Sequence, residues 1–199
     1  MVAAGPCASA SPATRPGQSR GRRWEAIAEY WHCPVADYLD RIHASPPEAR
    51  GRYLVLWAKS RPDAYVPCML HDSDSLLYCE AASGFYGPAG TTAGRLQTPE
   101  RLGALAALGF STDGSKGNVF QDRRYRGPDD GATLMIETLV RGFGLDAEAE
   151  LEYAAPLLSI QTSNPVEHGG RCAPTSALPP HGHRAREYAS HRNMAARAA

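Results

Sequence analysis

Apolar positions along the chain follow two different periods. Between residues 52 and 82 they come in short runs: "RYLVLWA" (52–58), "AYVPCML" (64–70) and "SLLYCEAA" (75–82). Turn-forming "KSRPD" and "HDSD" separate them. Short apolar runs bounded by such residues predict strands. With links this brief, the three read as an antiparallel meander, the last two forming a hairpin across Asp72 to Asp74. Pro67 cannot donate to a ladder, which predicts an edge position or a bulge for the second strand.

Elsewhere the spacing is helical. "WEAIAEYWH" predicts a short helix from Trp24, interrupted by Pro34. "VADYLDRIHA" predicts a second, with Val35, Tyr38, Leu39 and Ile42 on one face and Pro46-Pro47 as its stop. Thr98 and Pro99 suit the N-cap and first position of a helix. Leu102, Leu105, Ala106 and Leu108 give that helix its apolar side, and Gly109 ends it. "NVFQDRRYR" (118–126) predicts a further strand. The strongest helical stripe is Ala132, Met135, Ile136, Leu139, Val140 and Phe143, capped by Asp129 or Asp130 and stopped by Gly144. A short strand or helix turn over 149–158 closes the order. Helices on one face of a mostly antiparallel sheet make this an α+β fold.

Composition sets the limits of that domain. Gly and Pro supply 35 of 199 residues, above the usual level of about 12%. They concentrate in residues 1–23, in the loop 83–97 and beyond residue 158. The chain therefore divides into a disordered tail (1–23), one α+β domain (24–158) and a second disordered, basic tail (159–199). Net charge is zero overall, but 24–158 holds 12 basic and 19 acidic residues, a net charge of −7. An acidic body is the wrong partner for phosphates, so nucleic acid is not expected. No apolar run approaches 18 residues, so no membrane span is expected. The first 23 residues lack the apolar core of a secretory leader. The five cysteines are scattered and odd in number, without a CxxC. That pattern predicts reduced thiols, Cys68 and Cys79 among them as small core residues, and a cytoplasmic setting.

Catalytic signatures are lacking: no G-x-S-x-G, P-loop, dinucleotide fingerprint or H-E-x-x-H occurs. No cofactor and no metal are expected. An enzyme or metal-binding protein remains the alternative reading, using Cys79 beside Glu80 or the His181/His183 pair. Two clusters suit contact with another polypeptide. Phe85 and Tyr86 lie among glycines in the 83–97 loop, where aromatic residues give contact area at low entropy cost. Arg123 and Tyr125 lie on the 118–126 strand. The acids around them, Asp122, Asp129 and Asp130, favour a solvated face or an acidic partner over nucleic acid.

The region 75–158 carries an ordered set of motifs. Glu80 and Ser83 form E-x-x-S at a strand end, followed by Phe85. Leu105, Leu108, Gly109 and Phe110 form L-x-x-L-G-aromatic. Asn118 opens a strand with Phe120 nearby, and Ala132, Ile136, Thr138 and Leu139 precede a turn at Gly144-Leu145. In this order and spacing the region resembles the actinobacterial TY-Chap domains, related to YbjN-like proteins and type III secretion chaperones. It departs from them at Val119 and Phe120, where the family has Trp after the Asn. The resemblance implies a secretion-chaperone-like α+β domain that dimerises and binds a protein or peptide client without catalysis.

Overall fold

A computed structural model describes residues 16–71, 73–84, 96, 98–112, 117–146 and 149–157. Five antiparallel strands form its sheet: β1 (Tyr53–Ala58), β2 (Arg61–His71), β3 (Leu76–Ala81), β4 (Val119–Arg124) and β5 (Leu151–Ala154). Their spatial order is β4-β3-β2-β1-β5. Three helices accompany them: α1 (Pro16–His43), α2 (Pro99–Ala107) and α3 (Pro128–Glu137). A π-helical turn, Thr138–Gly142, continues α3.

The strands alternate as a half-covered sheet requires. Leu54, Leu56, Val66, Cys68, Leu77 and Cys79 face one way and are wholly buried with Leu39, Ile42, Met135 and Ile136 of the helices. All three helices contribute buried residues to that one cluster. The helices thus lie on one face of the sheet, as the hydrophobic spacing predicts.

Helix α1 corrects the two-helix expectation. It runs unbroken through Pro34 and starts at Pro16, so residues 16–23 belong to a helix. Ile27, Val35, Leu39 and Ile42 are all buried, and Trp31 packs against the same core. A proline inside a helix costs about 3 kcal/mol. Each fully buried large apolar side chain returns about 1.5–3 kcal/mol, so the stripe that spans the proline outweighs the break. Residues 1–15 and 158–199, which include the remainder of the expected tails at 1–23 and 159–199, lie outside the described residues.

Strand β2 supplies a second correction. It is the central strand, not an edge. Its full partner is β1, where Val55 opposes Pro67. Pairing with β3 covers Cys68 to His71 and stops at Pro67, where no N–H is available. One further bond, Ala82 N to Tyr65 O at 3.1 Å, holds the strands together beyond it.

The helix ends follow local chemistry. Thr98 Oγ1 accepts from Arg101 N at 3.4 Å with Pro99 at the first position, as the sequence predicts. Gly109 and Gly144 take φ of +93° and +69° at the two helix stops. The cap of α3 differs from expectation: Gly127 occupies it, Pro128 follows, and Asp129 and Asp130 sit in the first turn. There they complement the positive end of the helix dipole.

One buried guanidinium ties three segments together. Arg52 donates to Ile42 O at 3.0 Å, to Ser45 Oγ at 3.0 Å and to both carboxylate oxygens of Asp74 at 2.7 Å. It therefore closes the C-terminus of α1 and anchors the β2–β3 turn. Ser73 and Asp74 in that turn have φ of +53° and +66°, the left-handed region that non-glycine residues disfavour. Arg52 holds Asp74 in that conformation.

The cysteines differ from the reduced pair expected. Cys68 and Cys79 oppose each other in register across β2 and β3 and are joined by a disulfide. Cys33 on α1 is disulfide-bonded as well.

Candidate functional site

The face of the sheet opposite every described helix carries the other half of the alternation. β1 contributes Tyr53, Val55 and Trp57, and β2 contributes Tyr65, Pro67 and Met69. β3 contributes Leu76, Tyr78 and Glu80, and β4 contributes Phe120, Asp122 and Arg124. This set follows from the period of two and the register. Val55 and Trp57 are buried together with Ala154 of β5, and Tyr53 and Tyr65 pack against them. Tyr78 stacks on Phe120 with ring centroids 5.9 Å apart, and the His71 ring meets Tyr78 edge-on at 6.2 Å. An aromatic row thus crosses four strands. Its energetic content resides in ring burial and offset stacking.

Polar groups on this face are joined into one network. Tyr78 OH donates to Glu80 Oε1 at 2.8 Å, and Asn118 Nδ2 donates to Glu80 Oε2 at 2.8 Å and to Tyr65 OH at 3.3 Å. Asn118 Oδ1 accepts from Ser83 N at 3.0 Å and from Ser83 Oγ at 3.3 Å. Asn118 thereby clips the end of β3 to the start of β4. Beside the network, His71 Nε2 meets Asp122 Oδ1 at 2.8 Å, and Trp57 Nε1 donates to Glu152 Oε2 at 2.9 Å. Burial raises the phenol of Tyr53 above its ordinary pKa of 10.0. Glu80, Ser83, Asn118 and Phe120, dispersed over 41 residues in the motif set, meet here at one end of the β3–β4 pair.

The partner-contact candidates from sequence fall elsewhere. Arg123 lies opposite Leu77 in register, on the helix-covered face, and pairs with Asp130 of α3. Tyr125 packs against the main core, with the His43 ring at 5.2 Å. Both therefore hold β4 to the helices, and neither faces the aromatic row. Phe85 and Tyr86 lie outside the described residues, as do His181 and His183. Cys79 is wholly buried and its sulfur is bonded to Cys68, so this form offers no free nucleophile there. Among the described residues no group of three or more His, Cys, Asp or Glu side chains could hold a metal. No described helix is long and apolar enough to cross a membrane.

Sequence reasoning overlooked Tyr53, Tyr65, Tyr78 and Asn118 as a set. The signal was present as aromatic residues recurring at even spacing on neighbouring strands. It becomes a surface only once register and helix side are known. Comparison of the chain with protein-family models, with curated proteins and with solved structures finds no match.

Proposed function

We propose that this domain is a non-catalytic polypeptide-binding module that receives a protein or peptide client on the face of its sheet opposite the described helices. The observation that carries this reading is the aromatic row Tyr53, Tyr65, Tyr78 and Phe120, on the face opposite every described helix. Aromatic side chains give large contact area for little lost entropy, and they are enriched at the centres of interfaces. The resemblance to TY-Chap and secretion-chaperone domains supports the same class of activity and suggests a homodimer. A cytoplasmic setting is the expectation that reduced thiols would carry. The bonded cysteines weigh against it, because cytosolic thiols are kept reduced.

The test compares the full chain with a Tyr78→Ser/Phe120→Ser variant in affinity capture from native lysate, with light scattering of both proteins. Polypeptides retained by the parent and lost by an equally folded variant support the reading. Identical retention by both, or none by either, counts against it. The scattering mass reports separately whether a second copy is bound.

A further inference from the structure

The disulfide between Cys68 and Cys79 has a setting that goes beyond its presence. Their Cα atoms are 4.2 Å apart at directly opposed positions of β2 and β3. That separation matches a non-hydrogen-bonded antiparallel pair, the type that brings opposed side chains closest. The sheet itself therefore holds the two sulfurs together, with or without a bond between them. Both residues have no exposed surface. They lie on the face of the sheet that carries the helices. Cys33 differs, being half-buried on the flank of α1 and also bonded.

We propose that the Cys68–Cys79 bond is a buried lock on the central hairpin, set by the redox conditions in which the chain folds and afterwards shielded from thiol reductants by the helix layer. Forming it consumes two protein thiols and one small-molecule disulfide, such as oxidised glutathione. One protein sulfur attacks that disulfide and expels a thiol. The second protein sulfur then attacks the mixed disulfide, joins the first and expels the other thiol. Two electrons and two protons pass to the glutathione pair. Reduction is the same sequence in reverse, and its first step requires a thiolate to reach a sulfur along the bond axis. A sulfur with no exposed surface under a packed helix layer denies that approach until the structure opens locally.

Two consequences follow. The fold is the same in both redox states, because two thiols occupy the same opposed core positions as small apolar groups. The stability differs, since a cross-link over a sequence separation of 11 restricts the unfolded chain. A loop of that size changes the folded-to-unfolded ratio by about a hundredfold in the loop-entropy relation.

The experiment uses the full chain isolated without reductant, alkylated at once and mapped by peptide mass. Dithiothreitol reduction is then timed in buffer and in concentrated urea, with the Cys33 bond as internal comparison. Expected are a bonded 68–79 peptide and reduction in buffer about a hundredfold or more slower than in urea. The Cys33 bond is expected to open first. A Cys68→Ala/Cys79→Ala variant should keep the circular dichroism of the parent with a folded-to-unfolded ratio about a hundredfold lower. Alkylation of both residues on isolation overturns the proposal. So does reduction of the pair in buffer as fast as in urea. None of these outcomes bears on whether the opposite face binds a client.

Discussion

Replacing Arg52 by Met removes a side chain that joins the end of α1, the approach to β1 and the β2–β3 turn. Arg52 and Asp74 are 8% and 12% exposed and meet through two bonds of 2.7 Å. The substitution keeps most of the aliphatic volume. It leaves a carboxylate with little access to water and removes one of the donors to Ile42 O, which keeps Ser45 N and Ser45 Oγ. Breaking a buried pair from one side costs about 3–5 kcal/mol. The lower end applies here, because Asp74 retains some exposure. A loss of about 3 kcal/mol is a large part of the 5–15 kcal/mol typical of a domain. Urea unfolding followed by tryptophan fluorescence measures it. Asp74→Asn keeps acceptor and shape but loses the charge, so it should cost less, about 1–2 kcal/mol. The double variant should cost less than the two singles combined. The pH dependence provides a second check. The hydrogen bonds from Arg52 hold the Asp74 carboxyl below its ordinary range. Its contribution is therefore present above the unfolded value of about 3.9 and is lost as pH falls through the lower folded value. The stability gap between parent and Asp74→Asn should be flat above about pH 5 and close in more acid solution. An Arg52→Met variant within about 0.5 kcal/mol of the parent, the ordinary surface range, would refute the reasoning.

Three further outcomes follow from packing and titration. Gly131→Ala should destabilise by about 1–3 kcal/mol in the same unfolding assay, because a Cβ there would stand 2.7 Å from buried Leu39 Cδ1 where α3 meets α1. Gly103→Ala should stabilise by up to about 1 kcal/mol, since α2 leaves nothing within 4 Å of that position; equal effects at the two sites would contradict the packing. Tyr38 and Tyr153 share a 2.5 Å hydrogen bond, and burial first of all raises both phenols above 10.0. Stability they contribute is present below the unfolded value of about 10 and declines as pH rises above it, so thermal melting from pH 9 to 11 should fall more steeply in the parent than in Tyr38→Phe, and parallel curves would sink the assignment.

Local chemistry made much of this fold legible. Strands expected over 52–58, 64–70 and 75–82 appear at 53–58, 61–71 and 76–81, because alternation and turn residues act within a few positions. The Thr98-Pro99 start of α2 is equally local. What escaped depends on contacts distant in sequence. Pro34 would break an isolated helix, but the stripe from Ile27 to Ile42 finds a core made of strands and α3. Pro67 sits centrally because its β1 side is fully paired and only its β3 side falls short. The cysteine pairing turned on register. A hairpin centred on Ser73 would oppose Cys68 to Tyr78, whereas the turn over Ser73 and Asp74 opposes it to Cys79. One residue of slip exchanges the faces of a strand, so neither the disulfide nor the aromatic row could be read from composition. For the same reason Arg123 and Tyr125, conspicuous in sequence, proved to face the helices.

The charge of the domain bears on how the proposed face would select a client. A net charge of −7 over 24–158 suggests attraction of basic partners. Yet the acids nearest the aromatic row are already engaged: Glu80 by Tyr78 and Asn118, Asp122 by His71, and Glu152 by Trp57. Drawing any of them to a basic client would forfeit an existing bond and so return little net energy. Recognition at this face would then rest on ring contact and apolar burial, which salt does not screen, whereas attraction between exposed charges weakens as the screening length shortens. A client identified by the paired capture should accordingly keep its affinity within about threefold between 50 and 200 mM salt, near the scale of one weak surface pair. A tenfold or greater fall would move the binding surface away from the aromatic row, toward the exposed acids of the helices and loops.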